Sequence, residues 1–163
     1  MFEGVNIDKQ PSRKTIRLID YDYSNEGLYF VTICTKGFKC LFGQINNSKV
    51  NLNKIGETVD EYWQEIHNHY PQVILHDYII MPNHIHGIIE ITTLNQVKKQ
   101  TLGFIIRGFK IGVTKWVRNN SSITLVWQRN FYEHIIRNEK SYENISQYIS
   151  ENPKNWLTDK FYK

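Results

Sequence analysis

Two imidazoles stand two residues apart in Met81-Pro82-Asn83-His84-Ile85-His86-Gly87. The peptide lies inside the apolar stretch 73–91, which reads as two strands joined at a Met-Pro-Asn turn. Side chains on a strand alternate between faces, so His84 and His86 share one face while Ile85 enters the opposite layer. A pair of neutral imidazoles held this way is a chelate for a divalent metal. The competing reading gives one histidine to the turn and the other to packing. Nearer the C-terminus, Tyr148 and Asn152 are four residues apart in a segment of helical spacing, which puts a phenol and an amide on one face. Laid over the histidine strand, that face completes a set of two imidazoles, an amide and a phenol. A metal with open positions polarises a phosphodiester. A phenolate attacking it forms a phosphotyrosine that conserves the bond energy for rejoining. A closed structural zinc site would need cysteine ligands, and none are suitably placed. Cys34 and Cys40 are six apart, form no Cys-x-x-Cys pair, and read as free thiols of a cytosolic protein.

The elements that must carry these groups follow from periodicity. Residues 28–35 are β-branched and aromatic and read as a central strand. Residues 38–52 read as a hairpin-like excursion broken at Asn46-Asn47-Ser48. A first helix is expected over 53–70, from the spacing of Ile55, Val59, Tyr62, Trp63 and Ile66. The paired strands are 72–80 and 84–92. In the next helix Leu102, Ile105, Ile106, Phe109, Val113, Trp116 and Val117 fall on one side, and Arg107, Lys110, Lys115 and Arg118 on the other. A short strand is expected at 125–128, an ordered segment at 134–137 and a last helix at 141–151. Ser141 is its expected N-cap and Pro153 its stop. The order strand, helix, strand, strand, helix, strand is the split β-α-β pattern. The expected fold is α+β: a ferredoxin-like, RRM-like sheet with an additional C-terminal helix carrying the tyrosine.

Composition sets the frame. At 163 residues with 40% hydrophobic content the chain reads as one domain, 1–163, with a loosely held arm at 1–26. No apolar run reaches the roughly 18 residues that span a bilayer, and Met1-Phe2-Glu3-Gly4 lacks the pattern of a signal peptide. The net charge of +4 is modest but uneven: residues 91–130 hold seven Lys or Arg and no acid. A basic half suits a polyanion, whereas the plainer reading is a solvated helix face.

Three stretches together resemble the single-tyrosine HUH transposase superfamily, and within it the REP-associated tyrosine transposases. Residues 73–90 are similar to the HUH strand, in which U is a bulky hydrophobic residue, here Ile85. Residues 127–137, from Trp127-Gln128-Arg129-Asn130-Phe131, resemble a segment typical of the REP-associated group. Tyr148-Ile149-Ser150-Glu151-Asn152-Pro153 resembles the nucleophile helix. The likeness covers about residues 28–156. It implies that His84 and His86 bind a divalent ion, Mg²⁺ or Mn²⁺, with Asn152 as the third ligand. It also implies that Tyr148 cleaves single-stranded DNA, forming a 5′-phosphotyrosine and releasing a 3′-OH. Arg107, Lys110, Lys115 and Arg118 would meet the backbone of a DNA hairpin, with Arg129, His134 and Arg137 as further phosphate or base contacts. The implied activity is DNA transposition in a bacterial cytoplasm, at the nucleoid. A monomer is slightly favoured over a homodimer.

Some assignments have rivals. Tyr132 and Tyr142 lie near Tyr148; Tyr132 reads as packing or substrate contact and Tyr142 as core. Trp127 and Phe131 would stack on extruded bases or pack in the core. His76 reads as a hydrogen-bonded structural residue, and His67 and His69 as the end of the first helix. The rival function is a catalytically silent DNA- or RNA-binding module of the same fold, for which the His-Tyr-Asn set would be superfluous.

Overall fold

The computed structural model describes residues 22–93 and 100–162. Most of the expected arm at 1–26, together with Lys98 and Lys99, lies outside the described residues. The elements run β1 (Gly27–Cys34), β2 (Gly43–Asn46), β3 (Lys49–Leu52), α1 (Lys54–Gln64), α2 (Ile66–His69), β4 (Val73–Met81), β5 (His84–Ile91), α3 (Leu102–Asn120), β6 (Tyr132–Ile136) and α4 (Glu139–Glu151). A four-stranded sheet has the order β4-β5-β1-β6, every neighbouring pair antiparallel. Taking these four strands in chain order, the sheet reads fourth, first, third, second, which is the ferredoxin-like arrangement. The expected hairpin is β2-β3, turning through Asn47 and Ser48 at φ 50° and 58°, as two-residue hairpin loops require.

Two layers form because β1 and β5 alternate. Ile85 and Ile89 face one side with Tyr29, Val31 and Ile33, where α1 and α3 close a large core around Trp63, Ile105, Ile106 and Val113. His84, His86 and Ile88 face the other side. There Ile88, Ile136 and Ile149 form a smaller cluster with Phe30, Ile79, Tyr142 and Ile145. The sheet therefore separates the large core from the face that carries the histidines, with the histidine strand in the middle of both.

Gly87 follows the second histidine because α1 leaves no room for a side chain. A Cβ there would lie 2.4 Å from the Trp63 ring and 3.1 Å from Tyr78 Cβ. Trp63 is fully buried and cannot yield. Gly87→Ala should therefore lower stability by about 1–3 kcal/mol, the cost of overpacking a filled core. Equilibrium urea unfolding will measure it.

The structure corrects four element boundaries. Residues 125–128 form no strand; Trp127 makes a single bridge to Thr35, and the fourth strand is Tyr132–Ile136, absorbing the segment expected at 134–137. Val126 and Trp127 are instead drawn into the core beside Phe42 and Phe109. The helix expected over 53–70 breaks at Glu65 into α1 and α2. It begins where Asn53 Oδ1 accepts from the Ile55 and Gly56 amides, at 3.0 Å each. The last helix starts two residues early, because Asn138 rather than Ser141 is its N-cap and accepts from the Ser141 amide at 2.8 Å. His76 is hydrogen-bonded as expected, and its partner is Tyr142, which is half-buried against the smaller cluster between α4 and β4.

Candidate active site and metal centre

His84 and His86 are both buried, and each has one ring nitrogen already committed. Asn83 spends its amide N–H groups on the carbonyl oxygens of Phe38 (3.1 Å) and Phe161 (2.8 Å). Its Oδ1 therefore faces His84 Nδ1 at 2.8 Å, and that nitrogen carries the proton. His84 Nε2 is left as a bare lone pair, buried and without a partner. On the neighbouring strand Thr32 Oγ1 holds His86 Nδ1 at 2.8 Å, a contact made possible by the Thr32–His86 register of β1 and β5. Both Nε2 atoms are thus presented to α4.

From α4, the Tyr148 hydroxyl reaches His86 Nε2 at 3.2 Å. Asn152, one turn later, is buried at the end of the helix. Its Nδ2 donates to Asp159 Oδ2 at 3.0 Å, while its Oδ1 is a second buried atom without a partner. The chain after α4 turns back through Trp156–Thr158, so that Asp159 and Phe161 close the site. Asp159 Oδ2 also accepts from Tyr148 at 3.5 Å, and Asp159 Oδ1 accepts from the Phe161 amide at 2.6 Å. The Phe161 ring lies 4.8 Å from that of His84 and 5.8 Å from that of His86. One ligand atom from each of His84, His86 and Asp159 falls within 4.8 Å of the others. Two orphaned acceptors, a second imidazole and a carboxylate converging on one spot form a donor set suited to a divalent cation.

The electrostatics follow from burial. Desolvation pushes His84 down to about 4 against the opposing pull of Asp159, and pushes His86 well below its ordinary value. Both rings are neutral at physiological pH, the form that ligates metals. Burial, with Asp159 next to it, raises Tyr148 to about 12, so the phenol holds its proton when no cation balances that carboxylate. Cys34 pairs with His84 across the strands but is raised to about 12 by burial, which makes it inert as a nucleophile.

The structure brings His84, His86, Tyr148 and Asn152 together. Asp159, Asn83 and Thr32 join them without having been expected. The residues read as DNA contacts divide between two places. His134 pairs with Phe30, and Tyr132 with Thr32, so both lie on the histidine face of the sheet; Arg137, just past the strand, is exposed. Arg107, Lys110, Lys115, Arg118 and Arg129 line a groove of about 540 Å³ between α3 and residues 129–131, on the other layer. Within it Arg107, Lys115 and Arg129 are exposed, while Arg118 Nε donates to Thr124 O at 3.0 Å.

Lys110 departs from the expected backbone contact. Its ammonium donates to the carbonyls of Gln128 at 2.6 Å and of Arg129 and Asn130 at 3.4 Å each. Burial lowers its pKa to about 8. It clamps the loop from beneath, and Trp127 Nε1 returns a hydrogen bond to Lys110 O at 3.2 Å. Trp127 and Phe131 accordingly pack in the core. Lys110→Met should cost about 1.5–3 kcal/mol, the range for a hydrogen bond from a charged group. Thermal unfolding without DNA will show it, and a lysine serving only as a phosphate contact would leave that transition unmoved.

The family described as "Transposase IS200 like" matches residues 38–152, a span that includes both histidines, Tyr148 and Asn152 and stops short of Asp159. An uncharacterized protein of Haemophilus influenzae is 48% identical over 169 residues, covering 92% of this chain and 93% of that one. Among solved structures, a REP-associated tyrosine transposase bound to a REP hairpin superposes with a TM-score of 0.63. The two share 20% identity, over 86% of this chain and 74% of the other. The fold is shared with that structure, and by its sequence the chain belongs to the family of IS200-like transposases.

Proposed function

We propose that the protein cuts and rejoins single-stranded DNA beside a hairpin through a covalent bond to Tyr148. The observation that carries this reading is the Tyr148 hydroxyl at 3.2 Å from His86 Nε2, beside the unpartnered His84 Nε2 and Asn152 Oδ1. Nothing in a binding module calls for that convergence.

His84, His86, Asn152 and Asp159 would hold the ion, Mg²⁺ or Mn²⁺, which when bound withdraws charge from a phosphoryl oxygen. Asp159 helps keep the Tyr148 phenol protonated, and a cation held by that carboxylate would offset its charge and let the hydroxyl ionise more readily. The Tyr148 oxygen attacks phosphorus; the new O–P bond forms as the P–O3′ bond breaks, and the departing 3′ oxygen takes up a proton. The DNA 5′ end stays on Tyr148 as a phosphodiester of unchanged bond order. A 3′-OH of the same or another strand reverses the step without an external energy source. Phe30 lies edge-on to Tyr148 at 6.2 Å and stacks on His86 at 5.3 Å, which fixes the approach of the ring.

The groove between α3 and residues 129–131 is the proposed seat of the hairpin backbone, with Arg107, Lys115 and Arg129 as phosphate contacts. His134, Arg137 and Tyr132 would guide the single strand toward Tyr148. With α4 packed on the sheet of its own chain, the proposed acting form is a monomer. Such a substrate places the work at the nucleoid of a bacterial cytoplasm; among the described residues no helix is long and apolar enough to cross a membrane.

The test is incubation of the purified protein with single-stranded hairpin DNA from the flanks of its own gene, with Mn²⁺ or Mg²⁺ and again with EDTA. A metal-dependent covalent protein–DNA adduct bearing a free 3′-OH partner strand is expected. Tight, metal-independent binding with no adduct would establish the silent module instead.

A further inference from the structure

α4 must hold Tyr148 at one rotational setting, yet most of what attaches it to the sheet is apolar. Ile145 and Ile149 rest on Ile88, Ile136, Phe30 and Ile79, and contacts of that kind are non-directional. A polar link lies at the other end of the helix. His76 Nε2 meets Glu90 Oε2 at 2.7 Å, and His76 Nδ1 meets the Tyr142 hydroxyl at 3.2 Å. The carboxylate accepts only, so Nε2 donates to it; in the neutral ring Nδ1 is then the acceptor, and Tyr142 donates to it. The chain of bonds thus has a direction set by Glu90.

The sheet is modified locally to make this link. β4 pairs Leu75 with Ile89 but Tyr78 with Gly87, so His76 and Asp77 together occupy one position opposite β5. That β-bulge switches the core-facing set from Val73 and Leu75 to Tyr78 and Ile80. It also presents His76 to α4, with the His76 and Tyr142 rings 5.7 Å apart and nearly perpendicular at 79°. Bulges that re-aim a side chain recur beside functional sites.

We propose that Glu90, His76 and Tyr142 form a directional pin that sets the rotation of α4 and so seats Tyr148 on the histidine pair. At about 100° per residue, Tyr142, Ile145, Ile149, Asn152 and Tyr148 occupy an arc of about 120°, with the two tyrosines at its opposite edges. A rotation that breaks the Tyr142 bond therefore carries the Tyr148 hydroxyl off His86, while the isoleucines between them tolerate the slip. His76 and Tyr142 are positioning residues; neither touches the reacting atoms.

The proposal rests on the tyrosine mechanism above, so its test includes a readout independent of it. Tyr142→Phe, His76→Ala and Glu90→Ala should each slow single-turnover adduct formation at saturating hairpin DNA by about 10- to 100-fold, the usual result of misplacing a reacting group. DNA affinity, Mn²⁺ affinity and the thermal midpoint should stay near wild type. The double variant of Tyr142→Phe with His76→Ala should be no slower than either single one, because both break the same link. Glu90→Gln, which keeps a carbonyl acceptor for His76 Nε2, should restore the rate. Independently, ¹⁹F NMR of protein carrying 3-fluorotyrosine, with the 148 resonance assigned by its loss in Tyr148→Phe, should show that signal shifted or broadened by Tyr142→Phe. An unmoved resonance, additive losses, or a rate that falls only with the thermal midpoint would overturn the pin. If the wild type forms no adduct, the mechanism fails and the ¹⁹F signal alone decides.

Discussion

Tyr148→Phe should fold, bind the hairpin and bind Mn²⁺, yet form covalent adduct at a rate lower by a thousandfold or more, on the order of the loss when a catalytic nucleophile is deleted. The substitution removes one oxygen from a side chain that is 39% exposed. The ring contacts with His86 and Phe30, at 5.1 and 6.2 Å between centroids, can persist. The lost hydrogen bond is worth about 0.5–1.5 kcal/mol, too little to unfold a domain. Mn²⁺ affinity should hold or rise, because the hydroxyl bonded to His86 Nε2 competes for the lone pair a cation would use. That combination, tighter or equal metal binding with no adduct, separates the nucleophile from a residue that merely shapes the site. Tyr132→Phe serves as the internal control, and Tyr142→Phe, which slows the adduct without abolishing it, as a graded comparison. Tyr132 is on the sheet, 6.1 Å from the Phe161 ring, and Tyr142 faces His76; the hydroxyl that meets His86 is that of Tyr148. Metal-dependent cleavage that survives Tyr148→Phe would point to water as the nucleophile and sink the tyrosine mechanism.

What the sequence made legible was whatever repeats with a short period. The alternation around His84 and His86, the helical spacing from Leu102 to Val117 and the four-residue step from Tyr148 to Asn152 all report on one element at a time. Each was matched by the structure. Contacts between elements were not legible. Thr32 meets His86 only because of a cross-strand register. Asp159 lies in a polar tail whose return over the site depends on Phe161 packing against His84, and nothing in Thr158-Asp159-Lys160 announces it. The loop contacts of Lys110 were hidden for the same reason. Its position on the polar side of a helix suggested solvent, and the loop that buries it arrives from 18 residues away. Asn83 could have been found, since an amide next to a candidate ligand is a natural orienting group.

Asn83 also supports the second large effect, a graded loss of metal around the histidine pair. His84→Ala and His86→Ala should each weaken Mn²⁺ binding by well over a hundredfold, since removing an outer partner alone typically costs 10–100-fold. Asn83→Ala should fall in that lower range, because it frees His84 Nδ1 to change tautomer. It should also destabilise the fold, since the buried Phe161 contact and the part-buried Phe38 contact lose their donor. Each unmet carbonyl costs about 1–3 kcal/mol. The histidine variants strand no charge, because the rings are neutral, but each opens a cavity where a buried ring stood. Asn152→Ala and Asp159→Ala complete the series. If Asp159 ligates, its variant should lose affinity as the others do, although residue 159 lies beyond the span matched by the family. Calorimetric titration with Mn²⁺ orders the five variants, and urea unfolding in EDTA separates stability from affinity. Unchanged Mn²⁺ affinity in His84→Ala would remove the metal centre from this face of the sheet. Loss in the histidine variants with none in Asp159→Ala would leave His84, His86 and Asn152 as the ligands and give Asp159 a single remaining task, holding the Tyr148 proton until the cation arrives.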